Sequence, residues 1–196
     1  MRVNEQSPRH DAQSTYQVRF DWGRRGSART AEGIDIVVWV DVVPDASAPV
    51  LPEAVVGSVP ERAALLAAGL VDATATARWI LGEQARLGRR AFIAVIAAGD
   101  AEASFTADDL LGAGAVIDAL AVLGIDDTSP EAAVAAAAFG GLRRAVRHLT
   151  SASSSGRAAA AAGMAPGELH ALAALDSSDA ARVVRAGDVR SEASAD

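Results

Sequence analysis

The sequence predicts an α/β protein with a mostly parallel or mixed central sheet, and three stretches carry that expectation. Residues 92–98, FIAVIAA, are apolar with no period of two, which is how a strand covered on both faces of a parallel sheet reads. Residues 34–43, IDIVVWVDVV, form a second run of the same kind, interrupted by Asp41 near its end. After the first run come Gly99 and Asp100, a short loop, and then Thr106 as a hydroxyl N-cap with Asp108 and Asp109 behind it. Leu110, Leu111, Ala113, Val116, Ile117 and Leu120 continue at helical spacing. The order is strand, acidic loop, helix. It places Asp100, Asp108 and Asp109 beyond the carboxyl end of a strand, where ligands sit in open α/β sheets. Acids in the first turn of a helix also complement its macrodipole, so capping alone accounts for Asp108 and Asp109 if nothing else converges on them.

The remaining elements follow in chain order. Residues 1–14 are polar and unpatterned and read as a disordered tail, as do residues 189–196, leaving 15–188 as one α/β domain. Tyr16, Val18, Phe20 and Trp22 alternate with Gln17, Arg19 and Asp21, the pattern of a half-covered strand. Gly23 and Gly26 are expected to end it in a turn crowded by Arg24, Arg25 and Arg29, which with Arg19 would make an anion-binding patch or simply a solvated face. Asp41, inside an apolar run, needs pairing, hydrogen bonds or a metal if it is buried, and none if the strand stops at Val40. Four prolines between positions 44 and 60 forbid a long helix or central strand there and suggest loop. Residues 61–68 favour helix by propensity, and residues 72–87 form a firm helical pattern with Gly88 after its end. Ser129, Pro130 and Glu131 open a helix through about residue 149. Residues 151–157 read as a small-residue loop able to present amides to an anion or to act as a linker, residues 166–175 as a short helix, and 181–184 as a last strand.

Composition narrows the chemistry. The chain has 196 residues, 51% of them hydrophobic, enough for a sizeable core. Its 18 basic residues are all arginine, against 25 acidic ones, for a net charge of −7. An acidic balance argues against nucleic acid or an anionic membrane as partner. Without lysine there is no Walker-type phosphate lysine, Schiff base or pyridoxal phosphate anchor, and without cysteine no thiol nucleophile, disulfide or thiolate-held metal. Oxygen-ligand chemistry remains. The first residues lack an apolar leader core and no apolar run spans a membrane, so a cytoplasmic location is expected. His10, His148 and His170 have no partner spacing and receive no role.

Several segments taken together resemble the 2-phosphosulfolactate phosphatases. They are YQVRFDWG at 16–23, IVVWVDVV at 36–43, LLAAGLVDATATARWI at 65–80, AVIAAGD at 94–100, DDLLGAGAVI at 108–117, SPEA at 129–132, SGR at 155–157 and LDSSD at 175–179. The resemblance implies a three-layer α/β/α fold, with residues 65–68 as strand rather than helix, and a Mg²⁺-dependent hydrolase that releases phosphate from 2-phospho-3-sulfolactate. Carried over by position, Asp41 matches a strand-end aspartate, Asp100 and Asp108 stand where glutamates are usual, and Asp109, Ser155 and Gly156 match directly. The implied metal shell is Asp41, Asp100 and Asp108, the catalytic set Asp41, Asp100 and Asp109, and the substrate contacts Arg19, Arg24, Ser155 and Gly156. Mg²⁺ takes oxygen ligands and keeps several waters, so few carboxylates suffice. The implied partner is a small phosphorylated organic acid, with a homodimer as the assembly left open. Between Asp41 and Leu65 the chain is shorter than the family norm and lacks its glycine-rich segment and Asn-Gly turn. That difference motivates a second reading, a catalytically degenerate member acting as an anion-binding or interaction protein.

Overall fold

The computed structural model describes residues 13–45, 49, 51–100 and 105–188. The tail expectations for residues 1–12 and 189–196 lie outside them. Gln13 and Ser14, read as tail, are held. The Gln13 carboxamide exchanges hydrogen bonds with the backbone of Phe20, and the Ser14 carbonyl accepts one from Arg19.

Four parallel strands and one antiparallel edge strand form the sheet. They are β1 (Val18–Trp22), β2 (Ile36–Val40), β3 (Ala64–Ala68), β4 (Ile93–Ala97) and β5 (Arg182–Arg185), in the order β1-β4-β2-β3-β5. Strands β1 to β4 are parallel and β5 runs against β3. The apolar runs at 34–43 and 92–98 are thus central strands, every residue of β2 and β4 being buried. Alternation sorts their side chains between two cores. Val18, Phe20, Ile36, Val38, Val40, Leu66, Val95 and Ala97 face one side, while Val37, Trp39, Leu65, Ala67, Ala94 and Ile96 face the other.

The helical layers are unequal. The first core is covered by α3 (Ala73–Leu87), α4 (Ala107–Val122), α5 (Pro130–Leu142), α6 (Val146–Ala152) and α8 (Pro166–Leu172). Between α6 and α8 lies α7 (Ser154–Ala161). The second face carries α1 (Gly23–Thr30) and the short α2 (Glu53–Val56). The result is the expected three-layer α/β/α sandwich.

Several local expectations give way. β1 is buried on both faces rather than half-covered, because α1 lies over the face carrying Arg19 and Asp21. Residues 23–30 form that helix instead of a glycine turn. Gly23, at φ 56°, allows the chain to swing from strand directly into helix. The proline-rich segment contains α2, and Leu51, Val55 and Val59 are buried beneath it, so it is not featureless loop. Residues 64–68 are strand, as the resemblance implied and propensity did not; sheet pairing on both sides overrides a weak helical preference. Residues 154–157, expected in a loop, begin α7, whose N-cap Ser153 accepts a hydrogen bond from the Gly156 amide. The helix opened by Ser129 ends at Leu142, and after one 3₁₀ turn the chain resumes as α6.

The glycines of the LLGAGA run have a packing explanation. A Cβ at Gly112 would lie 2.5 Å from Val42 Cγ2, and one at Gly114 only 2.2 Å from the Ala135 carbonyl oxygen. These absences let α4 approach the end of β2 on one side and α5 on the other. Gly114→Ala should therefore lower stability by about 1 to 3 kcal/mol, the usual cost of overpacking. Gly140→Ala, with open space around it, is the matched control. Urea unfolding of the two variants checks this; equal midpoints would remove the packing role.

Candidate functional site

All four parallel strands stop at one level. Trp22 and Val40 both align with Ala97, and Val40 also aligns with Ala68. The next residues of the chain, Gly23, Asp41, Ala98 and Gly69, therefore share one rim. A cavity of about 650 Å³ opens there, on the side of α1 and α2. Its lining includes the start of α1 with Gly23, Arg24 and Arg25, and the aspartates Asp41 and Asp100. Trp22 and Trp39 also line it. The topology favours this place. The chain crosses from β1 to β2 on the α1 face and returns from β3 to β4 through α3 on the other, and crevices in open α/β sheets form where the winding reverses.

Asp41 is the first residue past β2, and its backbone amide still pairs with the Ala68 carbonyl. Both sequence alternatives are thus partly right: the strand stops at Val40, and yet the carboxyl is only partly exposed. Asp108 and Asp109, in the first turn of α4, are 0% and 2% exposed, which solvated capping residues are not. Asp109 is a clamp. It accepts hydrogen bonds from the Val42 amide at 2.8 Å, the Gly99 amide at 2.9 Å and the Thr106 hydroxyl at 2.8 Å. One carboxyl group thereby ties the exits of β2 and β4 to the start of α4. Asp108 is different. Ser155 donates to its Oδ1 at 3.3 Å, while Oδ2 is buried without a hydrogen-bond partner.

Electrostatics confirms that the three acids form a cluster. Burial, and then the charge of Asp108, push the Asp41 carboxyl up to about 6, with Arg182 opposing them. Burial and the neighbouring Asp108 charge push Asp109 up to about 8, against the pull of the Val42 amide and the Thr106 hydroxyl. Burial also raises Asp108, and the hydroxyls of Ser153 and Ser155 offset part of that. Asp100 is exposed and lines the same cavity.

The other expected residues divide. Arg24 is exposed and lines the cavity. Arg19 does not reach it. Its side chain, 1% exposed, donates to the carbonyls of Ser14, Tyr16, Thr30 and Glu32, and its guanidinium lies 5.3 Å from the centre of the Phe92 ring. The substrate role expected of Arg19 is replaced by a structural one, because α1 covers the face that alternation had left open. Arg29 lines the cavity but grips Asp21 through Nε and Nη2, at 2.9 and 2.5 Å. Ser155 joins the acidic cluster rather than the cavity. Gly156 is buried where a Cβ would come within 2.1 Å of the Thr150 carbonyl oxygen, so its lack of a side chain serves packing.

Three contributors escaped sequence reasoning. Arg182 lies beside Asp41 and donates to Asp72 Oδ2 at 2.6 Å, while Asp72 Oδ1 accepts from the Gly69 amide. Thr106 was read as an N-cap, but its hydroxyl goes to Asp109. Trp39 was read only as part of an apolar strand. Arginine and tryptophan carry no local spacing signal, and only the strand order brings them to this rim.

Could the cluster hold a cation? Among the described residues no three acidic or imidazole side chains stand arranged to hold a metal ion. The unpartnered Oδ2 of Asp108 and the raised carboxyl of Asp41 are features that a nearby positive charge would relieve. Two carboxylates fit the requirement of Mg²⁺, which is commonly held by one or two protein carboxylates with water and substrate phosphate. No protein-family model matches the chain, and no curated protein matches it.

The raised carboxyls fix the sign of the pH dependence. A carboxyl that holds its proton more tightly folded than unfolded adds stability at low pH and loses it as pH rises through the folded value. Here the window runs from the ordinary 3.8 to about 8. Asp35, held low by Arg89 and the Phe92 amide despite its burial, acts only at the acid edge of that window. Thermal midpoints should fall between pH 5 and pH 8.5. Asp108→Asn should flatten that fall, because the Asp108 charge raises both neighbours; an unchanged slope would dissolve the cluster.

Proposed function

We propose that the chain is a Mg²⁺-dependent phosphoric monoester hydrolase acting on a small organic acid phosphate, with 2-phospho-3-sulfolactate as the substrate suggested by resemblance. The observation that carries this reading is a strand-end cavity lined both by a helix start with Arg24 and Arg25 and by Asp41, whose carboxyl is buried and crowded by Asp108. A phosphomonoester presents negative charge to the arginines, and a cation held at Asp41 would neutralise the rest.

Asp41 and Asp108 would hold the cation. When bound, it would supply charge neutralisation at the phosphate oxygens. Arg24 and Arg25 hold the substrate's acidic groups, with guanidinium forks suited to carboxylate, sulfonate or phosphate. Asp100, on the cavity lining, orients the attacking water and takes its proton. Asp109 touches no substrate. It fixes Asp41 and Asp100 indirectly, through the amides of Val42 and Gly99 beside them.

That commitment of Asp109, together with the structural use of Arg19, supports the second reading, an anion-binding or interaction protein without turnover. The two separate cleanly. In a panel of small phosphomonoesters, the hydrolase releases phosphate only with Mg²⁺, and Asp41→Asn lowers the rate on the order of 100-fold or more, the scale of a lost catalytic group. Wild-type turnover in that variant removes the assignment; no turnover from any panel member favours the second reading.

Mg²⁺ should also be visible in stability. At 100 times its dissociation constant a ligand adds about 2.7 kcal/mol to the folded state. For a chain of this size that is roughly 5 to 10 °C in Tm. The shift should appear above pH 7 and vanish in Asp41→Asn and Asp108→Asn. A shift that survives both substitutions places the cation elsewhere.

A further inference from the structure

Trp39 is a large aromatic side chain in the middle of the sheet, and its polar atom has nothing to bind. The residue is 5% exposed, it lines the strand-end cavity, and its Nε1 is buried with no hydrogen-bond partner. An indole nitrogen is a donor only, so it needs an acceptor oxygen and cannot be satisfied by an amide N–H or a guanidinium. A buried donor without an acceptor costs about 1 to 3 kcal/mol. Phenylalanine would fill the same apolar space between Val37 and Leu51 in the second core without that cost.

The cavity lining that Trp39 shares carries Arg24, Arg25 and Arg29 as well as Asp41 and Asp100. Helix α1 begins at the cavity with neither a side-chain cap on its first amides nor an acid in its first turn. By contrast α5 and α7 have their first amides capped by Ser129 and Ser153. Open amides at a helix start attract anions. Arg24 and Arg25 stand in the same turn, exposed and lining the same space. Arg29, in the last turn of α1, already holds Asp21 and is not needed.

We propose that the Trp39 indole N–H, the first turn of α1 and Arg24 and Arg25 together form a subsite for an oxyanion group of a small organic acid, the indole donating to one of its oxygens. This rests on the cavity being the binding site named above and adds to it a specificity residue that no arginine or carboxylate count identifies. A substrate lacking an oxygen at that place leaves the indole unpaired in the complex, so the site rejects it. Trp22 lies on the same lining, its ring tilted 47° against that of Phe105 at a centroid distance of 5.5 Å.

The test uses the full chain, inorganic phosphate without Mg²⁺, and ¹H–¹⁵N spectra of the indole groups, of which the sequence has three. The measurement is made near pH 6, where Asp41 carries less charge. Trp22→Phe and Trp79→Phe assign the Trp39 resonance by elimination, so wild-type protein alone reports the outcome if Trp39→Phe folds poorly. The expected result is a saturable downfield shift of the Trp39 indole proton, with a Kd raised about 10-fold or more in Trp39→Phe, the scale of one hydrogen bond to a charged group. Phosphate that binds without moving that proton, a Trp39→Phe variant with unchanged Kd, or no phosphate binding at all overturns the proposal. The outcome is separable from hydrolysis. An indole shift in a protein without turnover keeps the subsite and loses the enzyme; turnover with a still indole does the reverse.

Discussion

The cost of keeping several carboxyl groups in one poorly hydrated place governs the rest of this structure. Asp41, just past β2, and Asp108 and Asp109 of α4 are crowded together: the Asp108 charge makes the charged forms of Asp41 and Asp109 less favourable, and Asp41 does the same to Asp109. No loop rearrangement relieves this, because the acids are set by the level strand ends and by the first turn of α4. Partial compensation comes from the N-terminal dipole of α4, from backbone amides and from Arg182 at the edge of the sheet. The remaining imbalance is resolved either by protons or by a cation, and the proposed hydrolase uses the second.

Arginine, the only strong cation in the chain, divides its work by position. Arg19 is an internal brace, its donors pinning the segment before β1 to the end of α1 through four carbonyls. Arg29 and Arg182 each anchor a buried aspartate, Asp21 and Asp72. Arg24 and Arg25 line the cavity exposed, while Arg29 lines it with its guanidinium on Asp21. Burial, more than charge count, separates the structural arginines from those able to meet a ligand. The thin helical face, with α1 and α2 only, is the one that leaves room for the cavity.

Periodicity made the framework legible. The unbroken apolar runs at β2 and β4, the Gly88 stop after α3 and the Ser129 cap of α5 are local signals with local causes. The errors came where a distant element changed the environment. β1 reads as half-covered because alternation cannot reveal that α1 will fold over Arg19. Residues 64–68 read as helix because propensity knows nothing of two flanking strands. At the site, Asp41, Asp108 and Asp109 were legible as acids at strand and helix ends. The division between the Asp109 clamp and the unpartnered Asp108 was not, since it depends on which amides lie within 3 Å after the sheet is assembled.

The antiparallel edge strand has a consequence for biogenesis. β3 finds β2 within about thirty positions of itself, but its other neighbour, β5, is translated more than a hundred residues later. Until Arg182 arrives to meet Asp72, the nascent chain carries a bare apolar edge, LLAA, with its amides and carbonyls unpaired. Such an edge is a template for pairing with another copy. The late strand with arginine at both ends, RVVR, therefore acts as a selvedge: it finishes the fabric of the sheet and turns a sticky margin into a charged one.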